Sequence, residues 1–210
     1  PRLSRPEDAL NPAIGIVHLG LGAFFRAFAA LYVEEAMEKS GGDWGILGVS
    51  LRNPDLRDSL VPQGCAYTAC ELGPDGETLR IGTAVRSILV APESPDAVLD
   101  AMADPAVRIV SLTVTEKGYC HAPSTGKLDF THPDIVADLA DPERPKSAPG
   151  FLCRALDRRR KAGLPPFTVL CCDNLPENGA MLRGIVLELA GRMEEDLAAW
   201  IGAECSFPCA

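Results

Sequence analysis

The 210-residue sequence contains no apolar run near the roughly twenty residues that a bilayer span requires, so no membrane segment is read from it. It has no basic excess either. Twenty Lys and Arg face 29 Asp and Glu, a net charge of −9, which disfavours a surface that tracks nucleic-acid phosphates. There is no Cys-x-x-Cys pair among the 8 cysteines, and Cys205-x3-Cys209 lacks a second pair of ligands, so no metal is expected. Several cysteines lie in apolar runs such as Val169-Leu170-Cys171-Cys172, where free thiols act as small hydrophobes. No apolar segment follows Pro1, so no secretory signal is read, and a reduced, cytoplasmic chain is expected. Repeats and low-complexity tracts are also missing. What is present, 47% hydrophobic and 23% charged residues, is ordinary for a globular domain. A chain of this length buries about 70% of its unfolded surface and needs no disulfide or metal to hold a core.

Along the chain, the apolar run Ile14–Leu19 leads into Gly20-Leu21-Gly22 and then a helical pattern from Ala23 to Lys39, closed by Gly41-Gly42. A second apolar strand runs from Trp44 to Leu51, completing a strand–turn–helix–strand unit. Asn53-Pro54 reads as N-cap and first residue of a short helix ending near Leu60. Cys65–Leu72 and Thr78–Val90 flank the turn signal Gly73-Pro74-Asp75-Gly76 and read as a β-hairpin. Ser94-Pro95 opens a helix to about Ala103, and the β-branched run Arg108–Val114 reads as a buried strand. Cys120 to Gly150 reads mainly as loop, followed by a helix over Leu152–Ala162, a strand over Phe167–Cys171 and a helix over Ala180–Ile201. This alternation predicts an α/β fold: a Rossmann-like, mostly parallel sheet with helices on both faces and a β-hairpin insertion. The sequence begins at Pro1 and stops in mid-phrase at Ala210, which suggests a piece of a longer protein. Residues 1–205 are assigned to the Rossmann-like domain and 206–210 to the start of a C-terminal helical domain.

Gly20-x-Gly22 stands where a mononucleotide turn belongs. The first glycine permits the tight turn and the second lets the backbone approach a pyrophosphate, with the amides of Ala23 and Phe24 following at the helix start. Phe25 occupies the place of the usual third glycine. A Gly-x-Gly turn without it is also compatible with a tight turn that binds nothing, and class I methyltransferases use a similar one. The second strand ends Ser50-Leu51-Arg52-Asn53, where an acid would normally bond the ribose of NAD. Arg52 could instead attract a 2′-phosphate or be a solvated charge, and Asp55 falls too far into the next helix. Two polar phrases follow buried strands, where open α/β sheets place ligands: Thr113-Val114-Thr115-Glu116-Lys117-Gly118-Tyr119 and Cys172-Asp173-Asn174-Leu175-Pro176-Glu177-Asn178-Gly179. Val114 and Thr115 are candidate cofactor contacts. Asn178 is a candidate N-cap, while Asn174 is freer to point at a ligand. Arg158-Arg159-Arg160-Lys161 reads as helix-terminal cations complementing the dipole.

On these three phrases the sequence resembles the long-chain polyol dehydrogenases of the mannitol 2-dehydrogenase and fructuronate reductase family, over nearly its whole length. The resemblance implies a zinc-independent, NAD(P)-dependent oxidoreductase that interconverts a polyol or sugar acid with its ketose by hydride transfer. NAD is the expected cofactor, with NADP possible. It also implies that Asn174 polarises the substrate oxygen. The family's general-base lysine lies in a C-terminal Lys-x4-Asn-x2-His phrase. His18, His121 and His132 are not in such a phrase and Lys117 belongs to another, so the base is expected outside this chain. Family members usually carry His where Phe25 and Phe28 stand. Two alternatives are an S-adenosylmethionine-dependent transferase and a non-catalytic dinucleotide-binding module. The expected partner is a small polyol or sugar acid, with no nucleic acid and no membrane.

Overall fold

A computed structural model describes residues 3–74, 76–122 and 125–210; Asp75 of the expected turn lies outside the described residues. Five strands form one parallel sheet: β1 (Ile14–Leu19), β2 (Gly45–Ser50), β5 (Val85–Val90), β6 (Ile109–Leu112) and β7 (Thr168–Cys171). Their order is β5-β2-β1-β6-β7, so the chain moves outward one way from β1 and then restarts on its other side at β6. Between β1 and β6 the connections leave in opposite directions, and this opens a crevice at the carboxyl ends of the strands. β1 sits at the middle, with His18 opposite Gly48 of β2 and Ser111 of β6. Alternate side chains enter two cores. Val17, Leu19, Val49, Val110 and Leu112 face one, and Ile16, Ile46, Val85 and Ile88 face the other. Apolar residues on both faces are what a parallel sheet covered by helices requires. No helix among the described residues is long and apolar enough to cross a membrane.

Several expected elements are subdivided. The single helix expected over 23–39 is two, α1 (Ala23–Ala27) and α2 (Ala29–Ser40), interrupted at Phe28 with φ −124° and ψ −83°. The Tyr67 hydroxyl donates to the Arg26 carbonyl at 2.7 Å, and a side chain inserted into the helical ladder bends it. The hairpin is present as β3 (Tyr67–Gly73) and β4 (Gly76–Gly82), but the expected strand 78–90 breaks before β5. The buried Glu34 carboxylate accepts the Thr83 N–H at 3.0 Å and also its hydroxyl, fixing the bend from which β5 enters the main sheet. The short helix α3 (Asp55–Leu60) follows Pro54 with no side-chain cap, so Asn53 does not serve as one.

The helix after β5 is α4 (Pro95–Ala103), and α5 (Thr115–Gly118) is a single turn after β6. The segment read as loop contains α6 (Pro133–Ala140), and α7 (Ala148–Lys161) begins four residues earlier than expected. Both starts carry caps: the His132 imidazole accepts the Asp134 N–H, and the Ser147 hydroxyl accepts the Gly150 N–H. Each is followed within two residues by a proline, which suits a first helical turn and made the segment read as loop. The last helix is also two, α8 (Asn178–Met193) and α9 (Glu195–Glu204), separated by extended backbone at Glu194. Asn178 is not the N-cap. Glu177 holds that place in a left-handed conformation, and the buried Asn178 amide instead donates to the carbonyls of Cys171 and Asp173.

Candidate functional site

The crevice is built from its glycine turn. Gly20 has φ +90°, and a Cβ there would lie 2.3 Å from the Thr113 carbonyl oxygen, so no other residue fits. At Gly22 the outer side is open, with only the Gly20 carbonyl within 3.7 Å of an added Cβ. This leaves the room for close backbone approach that the second glycine of a mononucleotide turn provides. Phe25 turns inward and stacks on His18, ring centroids 3.3 Å apart and 10° from parallel. Its neighbours Phe24 and Phe28 are exposed.

A groove of about 570 Å³ runs past this turn, and of the expected contacts Gly20, Gly22, Arg52, Val114 and Thr115 line it. Ala23 and Phe24 are exposed at the start of α1 beside it and do not line it. A second hollow of about 650 Å³ adjoins the groove and shares Leu51, Arg52, Asp134 and Lys146 with it. Sequence reasoning missed Lys146 and Ser147, which come from the segment read as loop. The Ser147-x-Pro149 pattern of a capped helix was the signal that could have placed them.

On the far side of the crevice, the ends of β6 and β7 are tied by one carboxylate oxygen. Asp173 Oδ2 accepts the Val114 N–H at 2.9 Å and the Tyr119 hydroxyl at 2.6 Å. Burial, with Asp173 and Cys171 alongside, pushes the Tyr119 hydroxyl pKa far above its ordinary value, so it stays a donor. Thr115 holds φ +64° and Glu177 φ +51°, both costly for residues with a Cβ and maintained only by surrounding structure. Asn174 lies exposed three residues past the end of β7, next to Asp173, and outside the groove lining.

Cys120, His132 and Asp134 offer ligand atoms within 4.8 Å of one another. The geometry could hold a cation, but the donors are compromised: burial pushes the Cys120 thiol up to about 12, and His132 Nδ1 already accepts the Asp134 N–H. A thiol must ionise to bind a transition metal well.

His18 is fully buried, with Nδ1 2.8 Å from Ser111 Oγ and Nε2 2.9 Å from Thr113 Oγ1. Burial lowers its pKa to about 3, so the folded chain keeps it neutral where an unfolded chain, with an ordinary value of 6.5, takes up a proton. The unfolded state therefore binds more protons below about pH 6.5, and stability falls as the pH drops. Between pH 7 and pH 5 the wild type should lose about 2 kcal/mol that a His18→Gln variant does not lose. Urea unfolding of both proteins at the two pH values checks this, and equal losses would refute it.

Comparison with known proteins gives the family of this fold. Residues 14–210 match the family described as the mannitol dehydrogenase Rossmann domain. The chain is 45% identical over 210 residues to mannitol 2-dehydrogenase of Cereibacter sphaeroides, covering 99% of this chain and 43% of that protein. It is 44% identical over 198 residues to D-mannonate oxidoreductase of Escherichia coli, covering 92% of this chain and 41% of that one. Among solved structures, the Pseudomonas fluorescens mannitol 2-dehydrogenase ternary complex with NAD and D-mannitol superimposes with a TM-score of 0.90 at 44% identity. That match covers 94% of this chain and 41% of that one. The chain thus spans about two fifths of the length of the curated relatives it matches.

Proposed function

The chain belongs to the mannitol dehydrogenase family, as its Rossmann-domain portion, and on that premise we propose that it binds NAD for the oxidation of a polyol or sugar acid to its ketose, or the reverse reduction. The observation that carries this reading is the β1–β6 crevice, with the open Gly20–Gly22 turn on one wall and the Asp173-braced strand ends on the other. Gly20 and Gly22 would receive the pyrophosphate, with Ala23 and Phe24 beside them at the start of α1, and Arg52 would meet the adenosine ribose, where its charge also admits the 2′-phosphate of NADP. Val114 and Thr115 would lie along the nicotinamide half.

When bound, the nicotinamide supplies the hydride chemistry. The chain's part is to bind, orient and polarise. Asn174, carrying an uncharged amide donor at the strand end, would hold the substrate oxygen as negative charge develops on it. The proton would be moved by a lysine in a C-terminal helical domain beyond residue 210, and the protein would act in the cytoplasm. An S-adenosylmethionine-dependent transferase has no support from the family match, and a non-catalytic dinucleotide module would share the turn but lack the downstream Lys-x4-Asn-x2-His.

Titration of the folded 210-residue chain with NADH and NADPH tests the reading. Weak, saturable binding with no polyol oxidation is expected, because both the base and the wall that positions the substrate would be missing. Positioning of that kind supplies roughly 7–11 kcal/mol of a barrier. A folded chain that binds neither dinucleotide at millimolar concentration would overturn it, and binding of S-adenosylmethionine alone would establish the transferase instead.

A further inference from the structure

The hydrogen bonds around His18 have only one consistent direction. The Gly20 carbonyl can only accept, so the Thr113 hydroxyl, 2.9 Å away, spends its one proton there. Thr113 Oγ1 then has only lone pairs to offer the imidazole, which places the ring proton on Nε2, 2.9 Å away. The neutral ring leaves Nδ1 bare, and it accepts the Ser111 hydroxyl proton at 2.8 Å. Phe25 stacked on the ring face prevents the imidazole from turning over. The peptide at the end of this chain is held on its other side as well, since the Leu21 N–H points to the Val49 carbonyl at 3.4 Å.

We propose that His18 is a positioning residue for the glycine turn: the relay Ser111→His18→Thr113→Gly20 fixes the Gly20–Leu21 peptide in the orientation that receives a dinucleotide's pyrophosphate. The proposal rests on the dinucleotide reading above. His18 touches no ligand; it acts through Thr113, which carries its orientation across from β6 to the turn at the end of β1. Phe25, standing where a third glycine is usual, takes part by clamping the ring.

The experiment measures NADH and adenosine dissociation constants for wild type, Thr113→Val, His18→Gln and His18→Asn in the intact protein. Adenosine lacks the pyrophosphate, so a general loss of structure weakens both ligands while a misplaced turn weakens only NADH. Thr113→Val keeps the shape and should weaken NADH about tenfold, one hydrogen bond's worth, with adenosine unchanged. His18→Gln places an amide donor near the Nε2 position and should rescue binding, whereas His18→Asn reaches only the Nδ1 position and should not. A Thr113→Val protein that binds NADH as tightly as wild type overturns the proposal. A wild type that binds no dinucleotide overturns the cofactor reading and this role together. Nitrogen NMR of His18 separates the two failures: the relay requires a protonated Nε2 and a bare Nδ1 at neutral pH, and the opposite tautomer or a charged ring overturns it whatever binds.

Discussion

Replacing Asn174 with alanine in the intact protein should lower kcat by about 10²–10³-fold, with NAD affinity changed less than about twofold. The turn that carries Asn174 is braced by its neighbours. Asp173 holds the Val114 N–H and the Tyr119 hydroxyl, and Asn178 donates to the carbonyls of Cys171 and Asp173. The Leu175 N–H returns to the Asp173 carbonyl at 2.9 Å. Asn174 itself is exposed, so truncating it should shift stability by no more than about 0.5 kcal/mol. The measurement is steady-state kinetics alongside thermal unfolding. A lower melting temperature with kcat per folded molecule intact would make Asn174 a turn-forming residue only.

The second large effect is expected far from the crevice. Arg159 reads in the sequence as one of four cations closing a helix, yet its side chain is buried with 2% of its surface exposed. It donates to the carbonyls of Pro165 at 2.7 Å, Asp104 at 2.9 Å, Val107 at 3.0 Å and Met102 at 3.2 Å. The guanidinium thus joins the α4–β6 and α7–β7 connections. Arg159→Met would take this donor from all four carbonyls, of which only Asp104 keeps another, the Val107 N–H, among the described bonds, and a loss of about 3–5 kcal/mol is expected. Arg158→Met is the control. Arg158 pairs with the exposed carboxylates of Asp96 and Asp100, and such pairs contribute about 1 kcal/mol or less. Urea unfolding should therefore separate the two variants widely, and losses within about 1 kcal/mol of each other would refute the role given to Arg159.

The two arginines show where sequence reading stops. Next to each other in a charged run, they differ only in what the fold brings against them. The parallel sheet was legible because each strand is an apolar, β-branched run bounded by turn residues, and the glycine turn because Gly20 and Gly22 fall directly after the first of them. The helix breaks were not. The one at Phe28 depends on the Tyr67 hydroxyl bonding Arg26, 41 residues away, and the bend at Thr83 on Glu34, 49 residues away. Asn178 reads in the sequence as a local cap, but its side chain reaches back to Cys171 and Asp173 and across to Ala210, 32 residues downstream. Of the candidate residues, Gly20, Arg52 and Val114 reach the groove from their places at strand ends, whereas Asn174 stays outside its lining. Lys146 is not legible in this way, because only the packing of the segment before α7 brings it to the groove.

The strand order also governs how such a protein can change. β2 and β5 lie on one side of β1 and lead to Arg52 and the hollow beside it, while β6 and β7 lie on the other and lead to Val114 and Asn174. Side chains that would discriminate one adenine dinucleotide from another are thereby held on different strands from those that would meet the reacting carbon. Separate strands with separate supports make substitutions in the two sets close to additive in free energy. On the proposed reading, a lineage built on this sheet could therefore change which dinucleotide it takes without disturbing the side chains on the other half of the crevice.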